Sequence, residues 1–196
     1  MANRRARVVR ETAETAVKVE LTVDGSGHSE ISTGIRMFNH LLAQLAQHGL
    51  FDITLSASGE DQHHVVEDVG ISVGKAFNQA LGKKQGIVRM AHAAVPMDEA
   101  LSEVAVDVGG RAYSVIDVCF DGANIGDMEA DMVRHFLSSL ASEARINLHA
   151  STATGINDHH RVESLFKALG RALDSATLID ERLSGRIPST KEVIEG

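Results

Sequence analysis

The strongest constraint in this sequence is that its second half repeats the order of its first. The motif His-His-x-x-Glu occurs at His63–Glu67 and again at His159–Glu163, and each copy follows a single histidine, His40 or His135, on an earlier predicted helix. A repeat of roughly 90–100 residues predicts one structural unit present twice. The fold therefore has to place two equivalent sets of histidines.

Hydrophobic periodicity assigns the same elements to both halves. Alternation such as Val17, Val19, Leu21 predicts half-buried strands, and apolar residues at helical spacing predict amphipathic helices. Each half reads as three strands, a helix, a strand and a helix. The predicted strands are 6–11, 16–23, 28–32, 51–57, 113–120 and 146–150, and residues 95–108 hold further strands around Met97–Ala100. The predicted helices are 37–47, 65–81, 129–144 and 158–177, and 121–127 is a polar loop.

This order predicts an α+β fold with two similar halves, each a four-stranded sheet with two helices on one face. The first half covers residues 1–87 and the second covers 88–183. Residues 184–196 form a C-terminal tail near the active site, and the whole chain is one compact unit.

Composition excludes several classes of protein. The chain has 27 acidic and 19 basic residues, with a net charge of −8, and lacks the basic stripe of a general nucleic-acid-binding protein. No apolar run approaches the ~20 residues of a membrane span. Residues 1–10 lack the apolar segment of a signal peptide. Cys119 is the lone cysteine, so an internal disulfide is excluded. We expect a cytoplasmic protein that binds neither nucleic acid nor membranes.

The repeated motif has the geometry of a metal site. On a helix, residues i and i+4 share a face, so His63 with Glu67, or His159 with Glu163, can each hold one ion. The second histidine of each pair points about 100° away and can reach another ion. The predicted metal ligands are His40, His63, His64, Glu67, His135, His159, His160 and Glu163.

A crossed arrangement is one hypothesis for how these ligands divide between two ions. One ion would take His40, His63, Glu67 and His160, and the other would take His64, His135, His159 and Glu163. Imidazole and carboxylate donors without thiolate disfavour a closed structural zinc site and favour Mn²⁺, with Fe, Co and Zn as alternatives. A purely structural metal site remains open.

A series of short motifs runs in order from about Arg4 to Val193. It includes Phe38-Asn39-His40, His48-Gly49, His63-His64-x-x-Glu67-Asp68, Pro96-Met97-Asp98-Glu99-Ala100-Leu101, Gly110-Arg111-x-Tyr113, His135-Phe136, Asp158-His159-His160-x-x-Glu163, Phe166-Lys167-Ala168 and Pro188-Ser189-Thr190-Lys191. Together these motifs resemble those of the imidazoleglycerol-phosphate dehydratase family of histidine biosynthesis.

The resemblance implies a hydro-lyase that dehydrates D-erythro-imidazole glycerol phosphate to imidazole acetol phosphate via a metal-bound imidazolate. It implies two Mn²⁺ per active site and a closed homo-oligomer of roughly 24 subunits with active sites between subunits. It assigns proton transfer to Glu14, and Glu67 and Glu163 are candidates to share that role. The candidate substrate-binding residues are Glu14, His48, Arg89, Arg111, Lys167, Ser189, Thr190 and Lys191.

Two positions depart from the family pattern. Asn39 and Gln62 stand where the family commonly has Asp, and the segment before His63 is shorter. Both positions are candidates for orienting a ligating histidine. Two other functions remain open at this point: a metal-dependent hydrolase of a small phosphorylated molecule, and a non-catalytic metal-binding paralogue.

Overall fold

The computed structural model describes residues 4–194. The first half contains β1 (Arg5–Glu11), β2 (Thr15–Thr22), β3 (Ser29–Ser32), α1 (Arg36–Gly49), β4 (Asp52–Gly59) and α2 (Gln62–Leu81). The second half contains β5 (Met90–Met97), β6 (Ala100–Asp107), β7 (Tyr113–Asp117), β8 (Asn124–Ile125), β9 (Met128–Glu129), α3 (Met132–Ala144), β10 (Asn147–Thr154) and α4 (Asp158–Thr177), followed by a 3₁₀ turn at Glu181–Leu183. None of the helices in this range combines the length and the apolar character that a membrane crossing needs.

The two large sheets have the same topology. The first has the strand order β1-β2-β4-β3, in which β3 runs parallel to β4 and the other neighbours are antiparallel. The second has the order β5-β6-β10-β7, in which β7 runs parallel to β10 and the other neighbours are antiparallel. This match confirms the predicted α+β fold built from two similar halves.

One face of each sheet is buried beneath helices. In β2, Val17, Val19 and Leu21 are buried, whereas Lys18 and Glu20 between them are exposed. Helix α2 packs on β1, β2 and β4, and α4 packs on β5, β6 and β10. Each buried aliphatic side chain stabilises the fold by about 1.5–3 kcal/mol, so the period-2 pattern decides which face the helices cover.

The helices pack against helices of the opposite half. Helix α1 packs against α4, and α2 packs against α3. Phe38 of α1 meets Phe136 of α3 edge to face with ring centroids 5.3 Å apart, and Phe136 stacks on Phe166 of α4 at 5.4 Å. The four helices therefore share one hydrophobic core, which fixes where the histidines of the two halves meet.

Several boundaries differ from the sequence-based prediction, most clearly those of β5, of α3 and of the loop before α3. Strand β5 already begins at Met90, α3 begins only at Met132, and the predicted polar loop contributes to the β8–β9 hairpin. The hairpin places Asp127 beside α1, where its carboxylate accepts hydrogen bonds from Met37 N at 2.8 Å and Arg36 N at 3.0 Å. Because this cap comes from the other half of the chain, the local sequence of α1 does not reveal it.

Candidate metal centre and active site

Both histidine pairs lie in the first turn of a helix whose start is fixed by a polar N-cap. Asp61 caps α2 by accepting a hydrogen bond from His64 N at 2.9 Å, and Asn157 caps α4 by accepting one from His159 N at 2.9 Å. Each cap satisfies an N–H group that the helix itself leaves unpaired. The two pairs therefore occupy the same helical positions, and the two members of each pair face different directions.

Three of the predicted metal ligands converge where α1 meets α4. His40 Nε2 lies 2.8 Å and His159 Nε2 lies 3.0 Å from the same atom, Glu163 Oε2. The three donor atoms all lie within 4.8 Å of one another. We refer to these residues as the His40 cluster. Two imidazoles and a carboxylate are donors that suit Mn²⁺, Fe²⁺ or Zn²⁺, so the cluster fits a divalent ion and leaves room for further ligands.

The crossed partition of the ligands needs correction. It placed His40 on one ion with His63 and Glu67, whereas the structure brings His40 to His159 and Glu163. The reason is helix packing, because α1 lies against α4 of the other half. The spacing of residues along one helix does not specify which neighbouring helix its ligands will meet.

The matching group in the other half is looser. The rings of His63 and His135 lie 4.4 Å apart between centroids, because α2 packs on α3. Asp131 Oδ2 lies 3.2 Å from His135 Nε2. Glu67 is half-buried one turn after His63. In the described part of the chain, however, Glu67 does not join the two histidines in a compact group of three donors.

The second histidine of each pair contacts a carboxylate outside these groups. His160 Nδ1 shares a 2.8 Å hydrogen bond with Glu99 Oε2. His64 Nδ1 lies 2.8 Å from Asp61 Oδ2 in a contact without hydrogen-bond geometry, and Glu14 Oε2 lies 3.7 Å from His64 Nε2. Sequence reasoning missed Asp61 and Glu99 as partners of these histidines. Glu14 and Glu99 occupy equivalent turns of the two repeats. Aligning these turns would have indicated Glu99 as a partner of His160.

Asn39 and Gln62, the two departures from the family pattern, have other partners. Asn39 Oδ1 accepts hydrogen bonds from the Thr33 hydroxyl at 2.6 Å and from Thr33 N at 2.9 Å. Gln62 Nε2 donates to the Asp127 carbonyl at 2.9 Å. These contacts connect α1 to the preceding loop and α2 to the β8–β9 hairpin. Within residues 4–194, no hydrogen bond joins either side chain to a predicted metal ligand.

Positive charge lies on one side of the His40 cluster. Lys167 Nζ lies 2.7 Å from Glu163 Oε1, one helical turn along α4. Burial opposes ionisation of Glu163, but hydrogen bonds from Lys167 and His40 lower its pKa to about 2. Burial, together with the charges of Lys167 and Arg171, lowers the pKa of His48. Lys167 and His48 thus lie beside the cluster, and their roles in substrate binding stay predictions.

The other predicted phosphate-binding residues share one open cleft of about 770 Å³. Arg89 is oriented by Asp107, with Nε–Oδ1 at 2.7 Å and Nη2–Oδ2 at 2.9 Å, and its Nη1 donates to the Pro188 carbonyl at 2.8 Å. Guanidinium, ammonium and hydroxyl groups are suitable donors to a phosphate. The predicted residues that line the cleft are Arg89, Arg111, Ser189, Thr190 and Lys191.

Glu14 lies on the turn between β1 and β2. The Thr12 hydroxyl accepts hydrogen bonds from Glu14 N at 3.2 Å and Thr15 N at 3.0 Å, which fixes the backbone of the turn. The Glu14 side chain itself is 58% exposed. The turn therefore holds the backbone in place and leaves the carboxylate accessible.

Comparisons with known proteins agree with these features. The sequence model of the imidazoleglycerol-phosphate dehydratase family matches residues 33–173. An imidazoleglycerol-phosphate dehydratase from Dehalococcoides mccartyi is 54% identical over 195 residues, which is 100% of both chains. The chain belongs to the imidazoleglycerol-phosphate dehydratase family. An imidazoleglycerol-phosphate dehydratase from Methanothermobacter thermautotrophicus is 50% identical over 191 residues and 96% of each chain.

Solved structures of imidazoleglycerol-phosphate dehydratases share the same fold. The enzyme from Pyrococcus furiosus, solved in complex with (S)-C348, superposes with a TM-score of 0.83 at 34% identity over 95% of this chain and 99% of that one. The enzyme from Staphylococcus aureus gives a TM-score of 0.83 at 30% identity over 90% and 99%. The family resemblance read from the motifs is therefore confirmed.

Proposed function

We propose that this chain dehydrates D-erythro-imidazole glycerol phosphate to imidazole acetol phosphate in histidine biosynthesis, with two Mn²⁺ ions per active site. The observation that carries the proposal is the His40 cluster, a three-donor site in a chain of the imidazoleglycerol-phosphate dehydratase family. The looser pair of His63 and His135 supports a second site related to the first by the duplication.

The residues of the chain prepare the His40 cluster for a cation. Lys167 pairs with one oxygen of Glu163, which leaves Oε2 directed at the two imidazole nitrogens. The low pKa of Glu163 keeps this carboxylate ionised at neutral pH. Bound there, a divalent ion supplies Lewis-acid stabilisation of negative charge on the substrate imidazole ring.

We assign proton transfer to Glu14. Its accessible carboxylate sits on a fixed turn, and Glu14 Oε2 is 3.7 Å from His64 Nε2. A carboxylate held in this way can accept the proton from C2 of the substrate, because general acid–base catalysis needs a positioned group without a competing strong partner. Glu67 stays a candidate to share this role. Glu163 is a weaker candidate, since His40, His159 and Lys167 already occupy its oxygens.

The cleft that contains Arg89 and Arg111 is the proposed site for the substrate phosphate. The two guanidinium groups and Lys191 bring positive charge to a chain that is acidic overall. Arg89 presents a fixed orientation because Asp107 and the Pro188 carbonyl hold three of its nitrogens. Binding energy from the phosphate then helps to orient the ring that reacts.

We infer that complete centres form between subunits of a homo-oligomer. The rings of His64 and His160 are nearly perpendicular to those of His63 and His159, at 90° and 85°. Adjacent helical positions face about 100° apart, so we infer that His64 and His160 serve a neighbouring copy. The family resemblance implies about 24 copies with closed symmetry. A neighbouring subunit would then also bring the phosphate cleft and Glu14 to the metal ligands.

The test is to supply imidazole glycerol phosphate to the Mn²⁺-loaded protein and to measure imidazole acetol phosphate and free phosphate separately. Formation of imidazole acetol phosphate is the expected result. Release of phosphate instead would indicate the hydrolase, and binding of metal without either product would indicate a non-catalytic protein.

Replacing Glu14 with glutamine tests the proton-transfer assignment. We expect kcat to fall by about 10²–10⁴-fold, because general acid–base groups typically contribute that much. Metal content and substrate binding should stay at the parent level. Glu20→Gln, on the exposed face of β2, is the matched control and should turn over like the parent. Full activity of Glu14→Gln would remove Glu14 from the mechanism.

A further inference from the structure

The two halves each carry a glutamate on the turn between their first two strands. Glu14 immediately precedes β2, and Glu99 immediately precedes β6, in two sheets that share one topology. Both glutamates lie beside the second histidine of the nearby pair, His64 in the first half and His160 in the second. The duplication has therefore placed equivalent carboxylates next to equivalent predicted ligands.

The two glutamates differ in how tightly they are held. Glu14 Oε2 is 3.7 Å from His64 Nε2, and its side chain is 58% exposed. Glu99 Oε2 is 2.8 Å from His160 Nδ1, and its side chain is 36% exposed. Glu99 Oε1 also accepts hydrogen bonds from Ile156 N at 3.1 Å and Asn157 N at 2.8 Å. Glu99 is thus fixed at the start of α4, whereas within residues 4–194 the Glu14 carboxylate accepts no hydrogen bond and only approaches His64.

The N-caps of the two helices account for this difference. Asp61 caps α2 and supplies a carboxylate oxygen 2.8 Å from His64 Nδ1. Asn157 occupies the same position of α4, but its side-chain amide oxygen is used by His159 N. The N-cap of α4 is therefore uncharged, and Glu99 provides a carboxylate to His160 from the turn before β6.

We propose that Glu99 is the positioning residue of His160. In the first half the Asp61 carboxylate already lies 2.8 Å from His64 Nδ1, so Glu14 stays available to the substrate. An ionised carboxylate only accepts hydrogen bonds, so His160 Nδ1 must carry the hydrogen and Nε2 must carry the free lone pair. Glu99 in this way selects the nitrogen of His160 that can bind a metal ion. This inference rests on the proposed metal centre.

Glu99→Gln separates this role from a general role in stability. The amide oxygen of glutamine can still accept the N–H groups of Ile156 and Asn157, so the start of α4 keeps its contacts. The amide nitrogen then faces His160 Nδ1 and donates to it, which forces the hydrogen onto Nε2 and blocks metal binding there. Partners that orient metal-ligating histidines typically contribute about 10–100-fold to metal affinity.

The experiment is a competition titration of Mn²⁺ against a chelator, on the full-length protein stripped of metal. For Glu99→Gln we expect one of two Mn²⁺ sites to weaken by about 10–100-fold, with kcat recovering at saturating Mn²⁺. Glu14→Gln should show the reverse, with parent Mn²⁺ affinity and a reduced kcat. Adding Asn157→Asp to Glu99→Gln should restore part of the affinity, because it recreates the charged cap found at Asp61.

The outcomes distinguish this inference from the proposed function. Parent Mn²⁺ affinity in Glu99→Gln would overturn the positioning role, even if the parent is an active dehydratase. Weakening that Asn157→Asp fails to reverse at all would also overturn it, since a carboxylate at the cap would then not substitute for Glu99. Failure of the parent to bind two Mn²⁺ ions, or to turn over imidazole glycerol phosphate, would instead refute the proposed function. Circular dichroism of each variant confirms that α4 is formed.

Discussion

Replacing Gly170 with alanine is expected to push α4 away from α1 and to loosen the His40 cluster. A Cβ at Gly170 would lie 2.8 Å from Leu45 O and 2.9 Å from Gly49 N. Both atoms belong to the backbone of α1 and cannot rotate aside. Ordinary contact begins at 3.4 Å. The helices must therefore separate locally by roughly 0.6 Å, because packed interiors have no spare volume at such a contact.

Two opposing effects set the size of the change. Alanine favours a helix over glycine by about 0.8–1 kcal/mol. Overpacking a close contact typically costs ~1–3 kcal/mol, and a contact with rigid backbone belongs at the upper end. We therefore expect a net loss of about 1–2 kcal/mol in the free energy of unfolding. Metal–ligand distances hold within about 0.2 Å, so the same shift should also weaken Mn²⁺ binding by at least about tenfold.

Urea unfolding followed by circular dichroism on the metal-free protein measures the first effect, and Mn²⁺ competition titration measures the second. Arg171→Ala, at the exposed neighbouring position of α4, should change stability by less than about 0.5 kcal/mol. A Gly170→Ala protein that equals or exceeds the parent in stability and binds Mn²⁺ normally would show that α1 and α4 are not in this close contact.

Two further changes test other parts of the structure. The hydrogen bond from Met37 N, with burial opposing, holds the pKa of the Asp127 carboxyl below its usual 3.8. The ionised cap therefore stabilises the fold above pH 3.8, and this stabilisation is lost as the pH falls through the lower pKa of the folded state. Asp127→Asn should flatten this part of an acid-unfolding curve, and an unchanged curve would contradict the role of the cap. Arg89→Lys keeps the positive charge but loses the paired contacts with Asp107, so we expect KM to rise by about 10–100-fold while kcat changes far less. Arg7→Lys, on the exposed face of β1, is the control and should match the parent. A KM of Arg89→Lys equal to that of the parent would exclude Arg89 from phosphate binding.

Much of the fold was predictable because its signals are local. The alternation of Val17, Val19 and Leu21 specifies a strand with one buried face, and the spacing of apolar residues specifies the helices. The repeated His-His-x-x-Glu motif placed equivalent ligands at equivalent helix starts. The β8–β9 hairpin was missed, since its two-residue strands are too short to show periodicity and its Asp127 acts on a helix of the other half.

The partners of individual side chains were less predictable. Asn39 and Gln62 were expected near histidines, yet they bond to Thr33 and to the Asp127 carbonyl. Glu99 was not assigned a role, although it contacts His160 at 2.8 Å. The contacts of Gln62 and Glu99 join residues more than 60 positions apart, and the sequence around each residue is compatible with several partners.

The sequence by itself determined the duplicated α+β architecture, the chemistry of the predicted metal ligands and the positions of these ligands on their helices. Only the tertiary structure decided that His40 meets Glu163 rather than Glu67. The physical reason is that helix periodicity sets which face is apolar, whereas the close approach of α1 to Gly170 of α4 selects the neighbouring helix. That choice depends on how well two surfaces fit, and no local pattern in the chain records it.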